Sequence, residues 1–140
     1  MKCLGLDLGS KTLGMSISDK EGIIATSLKT VRHDEDYEGL VTVVLDVVKS
    51  ENVELVVLGM PKNMNGTIGF KGELSIKFRE MLLKVLPCDV VLEDERLTTT
   101  LATNVLIKGN VSRKKRKNVV DSLAAVFILQ GYLDRIGKRG

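Results

Sequence analysis

The 140-residue chain has one histidine and two cysteines, and no apolar stretch in it approaches the ~20 residues that cross a bilayer. Each shortage excludes something. A single histidine, His33, argues against a Ser-His-Asp hydrolase and against a His-rich zinc enzyme. Cys3 and Cys88 lack metal-site spacing and are too few to form a disulfide framework. The apolar run after Met1-Lys2 is short, is broken by Asp7 and shows no small-residue cleavage pattern, so no export signal is expected. Together these shortages point to a reduced, cytoplasmic protein with no membrane partner.

What is present is ordinary in amount and uneven in placement. The length suits one domain over residues 1–140, and 44% apolar with 28% charged residues is a typical globular balance. Net charge is only +3, yet Arg113, Lys114, Lys115, Arg116 and Lys117 follow one another without interruption, with Lys108 just before them. Such a run suits a polyanion partner or a solvated loop, and composition alone leaves both open.

Hydrophobic periodicity orders the elements. Residues 2–8 alternate as a strand, with Leu4, Leu6 and Leu8 on one face and Cys3, Gly5 and Asp7 on the other. Leu13–Ser18 and Ile23–Val31 continue as strands separated by turn signals, which predicts an antiparallel meander of three. The period then lengthens. After the acidic start at Asp34–Asp36, Leu40, Val43, Val44, Val47 and Val48 mark a helix, and Val53–Leu58 reads as a buried parallel strand. A Gly- and Asn-rich loop, 60–69, precedes a helix marked by Leu74, Phe78, Met81, Leu82 and Val85. Cys88–Leu92 is a further strand, a short helix runs from Thr98 to near Gly109, and Val119–Leu133 is the last helix. The expected fold class is α/β: a mixed five-stranded sheet, three antiparallel strands plus two parallel ones, with helices on both faces.

Three acids interrupt apolar elements: Asp7 in the first strand, Glu95 at the end of the last, and Asp121 in the first turn of the final helix. Each alone could be a satisfied structural acid. A carboxylate on such surfaces costs several kcal/mol unless it is hydrogen-bonded, paired or metal-bound. Three acids from distant segments that can converge at one sheet edge suit hard cations such as Mg²⁺ or Mn²⁺. Two such ions ~4 Å apart can activate water on one side of a phosphodiester and stabilise the leaving oxygen on the other. Gly9 and Gly14 would clear space beside Asp7, and Ala124 and Ala125 would let the last helix lie close to the sheet.

Four blocks of the sequence resemble the YqgF family, whose members are described as pre-16S rRNA nucleases and Holliday junction resolvases. They are LGLDLGSKTLGMSISD (4–19), VVLGMPKNMNGTIG (56–69), DERLTT (94–99) and VDSLAAVFILQGYL (120–133), and they lie in the family's order. The resemblance implies the ribonuclease H-like fold and a cytoplasmic nuclease that uses Mg²⁺ or Mn²⁺, two ions in all, on the 5′ leader of pre-16S rRNA. It makes Asp7, Glu95 and Asp121 the metal-binding catalytic acids. Strand alternation sets Val91, Glu93 and Glu95 on one face and Asp94 on the other, and the family pattern favours Glu95. Met15 and Ser16 stand where the family more often has Val and Ala, which reads as packing variation. Asn65 replaces an Asp common in the loop.

Candidate nucleic-acid contacts follow: Gly9, Lys11 and Gly14 beside Asp7, Asn63 and Asn65 in the 60–69 loop, Arg96 next to Glu95, and Arg113–Lys117 ahead of the helix carrying Asp121. Arg96 could equally pair with Asp94, and Thr98 reads as a helix cap. The five aromatic residues, Tyr37, Phe70, Phe78, Phe127 and Tyr132, are too few for base stacking to dominate affinity. Structured RNA is the expected partner, bound by a monomer or weak homodimer. Two alternatives remain: a resolvase of four-way DNA junctions, and an ATP-binding module of the actin and sugar-kinase type, whose first phosphate loop shares the spacing Asp7–Gly9–Gly14.

Overall fold

The first three apolar runs fold as their period of two predicts. In the computed structural model, which describes residues 1–61, 68–94 and 113–137, the last segment as backbone only up to 122, they are β1 (Cys3–Leu8), β2 (Thr12–Ser18) and β3 (Ala25–Arg32). β1 pairs antiparallel with β2 and β2 with β3. Asp36 caps helix α1 (Tyr37–Ser50), its Oδ1 accepting from the Gly39 amide at 3.1 Å. A Cβ at position 39 would lie 2.6 Å from the other carboxylate oxygen, so a larger residue there would make the Asp36 carboxylate shift.

β4 (Leu55–Met60) is buried along its whole length and lies parallel to β1. Helix α2 (Phe70–Leu83) leads to β5 (Asp89–Asp94), parallel to β4, and α3 (Arg113–Gly137) completes the described chain. The sheet order is β3-β2-β1-β4-β5, the expected mixed five-stranded arrangement. Leu4, Leu6 and Leu8 join Val56, Leu58 and Val90 under α1 and α2, where Val44, Val48, Phe78 and Leu82 are buried. Cys3, Leu55 and Val57 face the other way, onto Ile128, Leu129 and Leu133 of α3. Helices therefore cover both faces, as the crossovers required.

Two boundaries that bear on the site move. β5 reaches Asp94 rather than stopping at Leu92, because its pairing with β4 continues through Gly59 and Met60. α3 begins at Arg113, not Val119, so the basic run opens this helix instead of forming a loop ahead of it. Asp121 is accordingly well inside the helix and not in its first turn. Lys and Arg are good helix formers, and residues 113–121 contain no glycine or proline, but charged positions show no apolar period from which a start could be read. The helix expected over 98–109 lies outside the described residues.

The two layers meet most closely at Gly5. A Cβ there would sit 2.3 Å from Ser16 Oγ, 2.8 Å from Leu129 Cβ and 3.0 Å from the Ala125 carbonyl oxygen. Ser16, fully buried, donates its hydroxyl to that same carbonyl at 2.7 Å. The hydroxyl at position 16 is thus more than packing variation, because it ties β2 to α3. Gly5→Ala should destabilise the protein by about 1–3 kcal/mol through overpacking. Gly131→Ala, on the same helix with nothing within 4 Å among the described residues, should stabilise it by about 0.5–1 kcal/mol. Urea unfolding of both variants checks the pair.

Candidate functional site

Parallel pairing brings the carboxyl ends of β1, β4 and β5 to one edge of the sheet. Leu6, Leu58 and Leu92 are in register, and Gly59 pairs with Glu93 one residue further on, in line with Asp7. Asp7 shares the α3 side of the sheet with Cys3 and Gly5. It is half-buried and stands opposite Gly14 of β2. Both strands beside Asp7 therefore carry glycine at its level, Gly14 on one and Gly59 on the other. The sequence places Gly14 near Asp7 and Gly59 at the head of the following loop, and only the register shows that Gly59 stands beside Asp7.

α3 runs antiparallel to β1. Leu133 lies by the Gly22 turn, against which Met1 packs, and Leu129 and Ala125 lie over Gly5. One helical turn before Ala125 is residue 121. Four helical residues rise ~6 Å and two strand residues ~6.6 Å, so the helix carries the backbone of Asp121 to the end of the sheet that holds Asp7. Glu95 follows directly on Asp94, the last residue of β5 at that edge. Glu95 and Arg96 themselves, with Asn63 and Asn65, lie outside the described residues, and Asp121 and Arg113–Lys117 are placed by backbone alone. Among the described residues no three acidic, histidine or cysteine side chains form a group able to hold a metal.

Glu93 is the acid that sequence reasoning left without a role. It sits in the row of Asp7 and Gly59, two strand spacings or ~10 Å from Asp7. Its Oε1 accepts from Arg135 Nη1 at 2.7 Å, and its buried Oε2 has no hydrogen-bond partner among the described residues. A guanidinium is the partner that makes a buried carboxylate tolerable, so this pair ties the end of α3 to β5. The two residues are 42 positions apart, and nothing in the local sequence couples them. Asp94, at the tip of β5, is exposed.

The turn after Asp7 is tight. Gly9 N–H donates to the Thr12 carbonyl at 2.8 Å, and a Cβ at position 9 would lie 3.2 Å from both the Thr12 carbonyl oxygen and its Oγ1. The missing side chain thus makes room for the hairpin's own threonine. Lys11, at the tip, is exposed. Burial pushes the thiols of Cys3 and Cys88 above their ordinary range, so neither supplies a thiolate nucleophile near neutral pH.

Known proteins share this architecture. A family profile described as "RuvX: Holliday junction resolvase" matches residues 1–135. A Staphylococcus carnosus protein named "Putative pre-16S rRNA nuclease" is 51% identical over 137 residues, covering 96% of each chain. A Staphylococcus aureus protein of the same name is 50% identical over the same share. Among solved structures, Thermus thermophilus RuvC in complex with a Holliday junction substrate superposes with a TM-score of 0.61 at 16% identity, covering 98% of this chain and 96% of that one. The Fowlpox virus resolvase with its Holliday junction DNA gives 0.58 at 17% identity, covering 97% and 99%. At that identity the likeness concerns the fold, which is ribonuclease H-like. The sequence match over nearly the whole chain carries the assignment: this protein belongs to the RuvX (YqgF) nuclease family.

Proposed function

We propose that this chain hydrolyses phosphodiester bonds in structured RNA, with the 5′ leader of pre-16S rRNA as its substrate, in the cytoplasm, through one ribonuclease H-like domain over residues 1–140. The observation that supports the reading is the seating of α3 on Gly5, which directs the backbone of the helix bearing Asp121 toward the sheet edge where β1 carries Asp7 and where β5 stops one residue before Glu95 in the sequence. Asp7, Glu95 and Asp121 would hold Mg²⁺ or Mn²⁺, an all-carboxylate set that suits hard cations. Two bound ions would supply an activated water and stabilise the leaving oxygen. The glycines flanking Asp7 would let a substrate phosphate approach that edge. Glu93 stays outside this set because Arg135 occupies it.

The basic residues at the start of α3 support a polyanion partner for an electrostatic reason. Cations at a helix amino end oppose the macrodipole, so a run of five there costs stability unless anions come near. Five consecutive helical positions also spread around the whole circumference, so a single phosphate backbone reaches about three of them. Lys11 at the exposed turn and Arg96 beside Glu95 would extend the same contact.

A four-way DNA junction is the second reading, favoured by the description of the matched family. The ATP-binding alternative rests on the Asp7–Gly14 spacing alone and leaves the relatives' shared name unexplained. With Mg²⁺ or Mn²⁺, the protein should cut a pre-16S leader RNA in preference to a four-way junction and to single-stranded controls. EDTA should abolish cutting, and Asp7→Asn should lower it at least ~100-fold. Cutting that survives EDTA or Asp7→Asn would overturn the metal assignment, and preference for the junction would make the protein a resolvase. Replacing Arg113–Lys117 with serine should make the slope of log affinity against log salt shallower by about two to three, and an unchanged slope would remove the run from the interface.

A further inference from the structure

His33 stands apart from the proposed chemistry, yet it is bonded to the turn that follows Asp7. Its backbone N–H donates to the Lys11 carbonyl at 2.9 Å, and its ring Nε2 lies 3.0 Å from the Gly9 carbonyl oxygen. On the other side of the ring, the Glu35 backbone N–H lies 3.0 Å from Nδ1. The two backbone partners determine the tautomer. An amide N–H can only donate, so Nδ1 carries no proton; a carbonyl can only accept, so Nε2 carries it. Glu35 adopts φ 63°, the left-handed region that a non-glycine residue occupies only when its surroundings hold it there, and the bond to Nδ1 is one such constraint.

The other end of the clamp is anchored in the core. The His33 ring packs against Tyr37 in the first turn of α1, with centroids 5.6 Å apart. Tyr37 in turn meets Phe78 edge-on at 6.3 Å, and Phe78 is 1% exposed. The imidazole therefore transmits the position of a core-packed helix start to a surface turn two residues beyond Asp7.

We propose that His33 is a positioning residue, whose neutral Nε2–H tautomer bolts the Gly9–Lys11 turn to the start of α1 and so sets the substrate-facing turn beside Asp7. The activity part of this proposal rests on the nuclease reading; the clamp itself does not. Nitrogen NMR of the wild-type imidazole should show a protonated Nε2 and an unprotonated Nδ1. The opposite tautomer, or an averaged pair, would overturn the proposal. In His33→Ala the Gly9 and Glu35 amides should exchange with solvent about tenfold faster while Leu6 and Leu58 stay protected. His33→Gln, whose side-chain amide can donate to Gly9, should restore Gly9 protection.

For cleavage of leader RNA at saturating Mn²⁺, His33→Ala should lose about tenfold in kcat with KM within twofold, and His33→Gln should recover most of the loss. Unchanged amide exchange in His33→Ala sinks the clamp. Faster exchange with an unchanged kcat sinks the positioning role. A wild-type protein that cuts neither RNA nor junction sinks the nuclease reading instead, and the NMR and exchange measurements still decide the clamp.

Discussion

Helix α3 can lie on the sheet where it does because position 5 of β1 has no side chain. Ser16 Oγ, Leu129 Cβ and the Ala125 carbonyl already fill the space that a Cβ would need. Ser16 turns this proximity into a bond by donating to the Ala125 carbonyl, which ties β2 to α3 across 109 positions of sequence. Everything proposed for the site depends on this seat. Were the helix displaced outward, the residue one turn before Ala125 would no longer lie near the strand end that carries Asp7.

The edge that results separates two kinds of acid. Glu93 is buried and held by Arg135, so its charge is spent on the architecture. Asp7 is half-buried between positions that carry glycine on both neighbouring strands. The two carboxylates share one row of the sheet, with glycine on the strands beside Asp7 and Arg135 on Glu93. The cationic start of α3 belongs to the same edge of the molecule in chain order. Its charges oppose the helix macrodipole.

Much of this was legible beforehand because short-range periodicity encodes it. The alternation in Cys3–Leu8 separated Leu4, Leu6 and Leu8 from Gly5 and Asp7, and those are the two faces found, one under α1 and α2 and one under α3. The small residues Ala124 and Ala125 correctly announced a close helix–sheet approach, being 1% and 0% exposed. Its true pivot, Gly5, passed unnoticed, because a glycine within a strand shows its purpose only when the helix above it is known. The start of α3 was misplaced for a related reason. Five cations have no apolar face, so no period marks where their helix begins.

The sequence by itself determined the order of the described elements and the family, since strand alternation, helical spacing and the DERLTT and VDSLAA blocks are all local patterns. Tertiary structure alone decided which glycines matter, that Glu93 is paired with Arg135, and that His33 joins the Gly9 turn to α1. These are contacts between residues 24 to 109 positions apart. Their partners are chosen by the register of parallel strands and by the packing of helices across them, and neither is written in any one stretch of the chain.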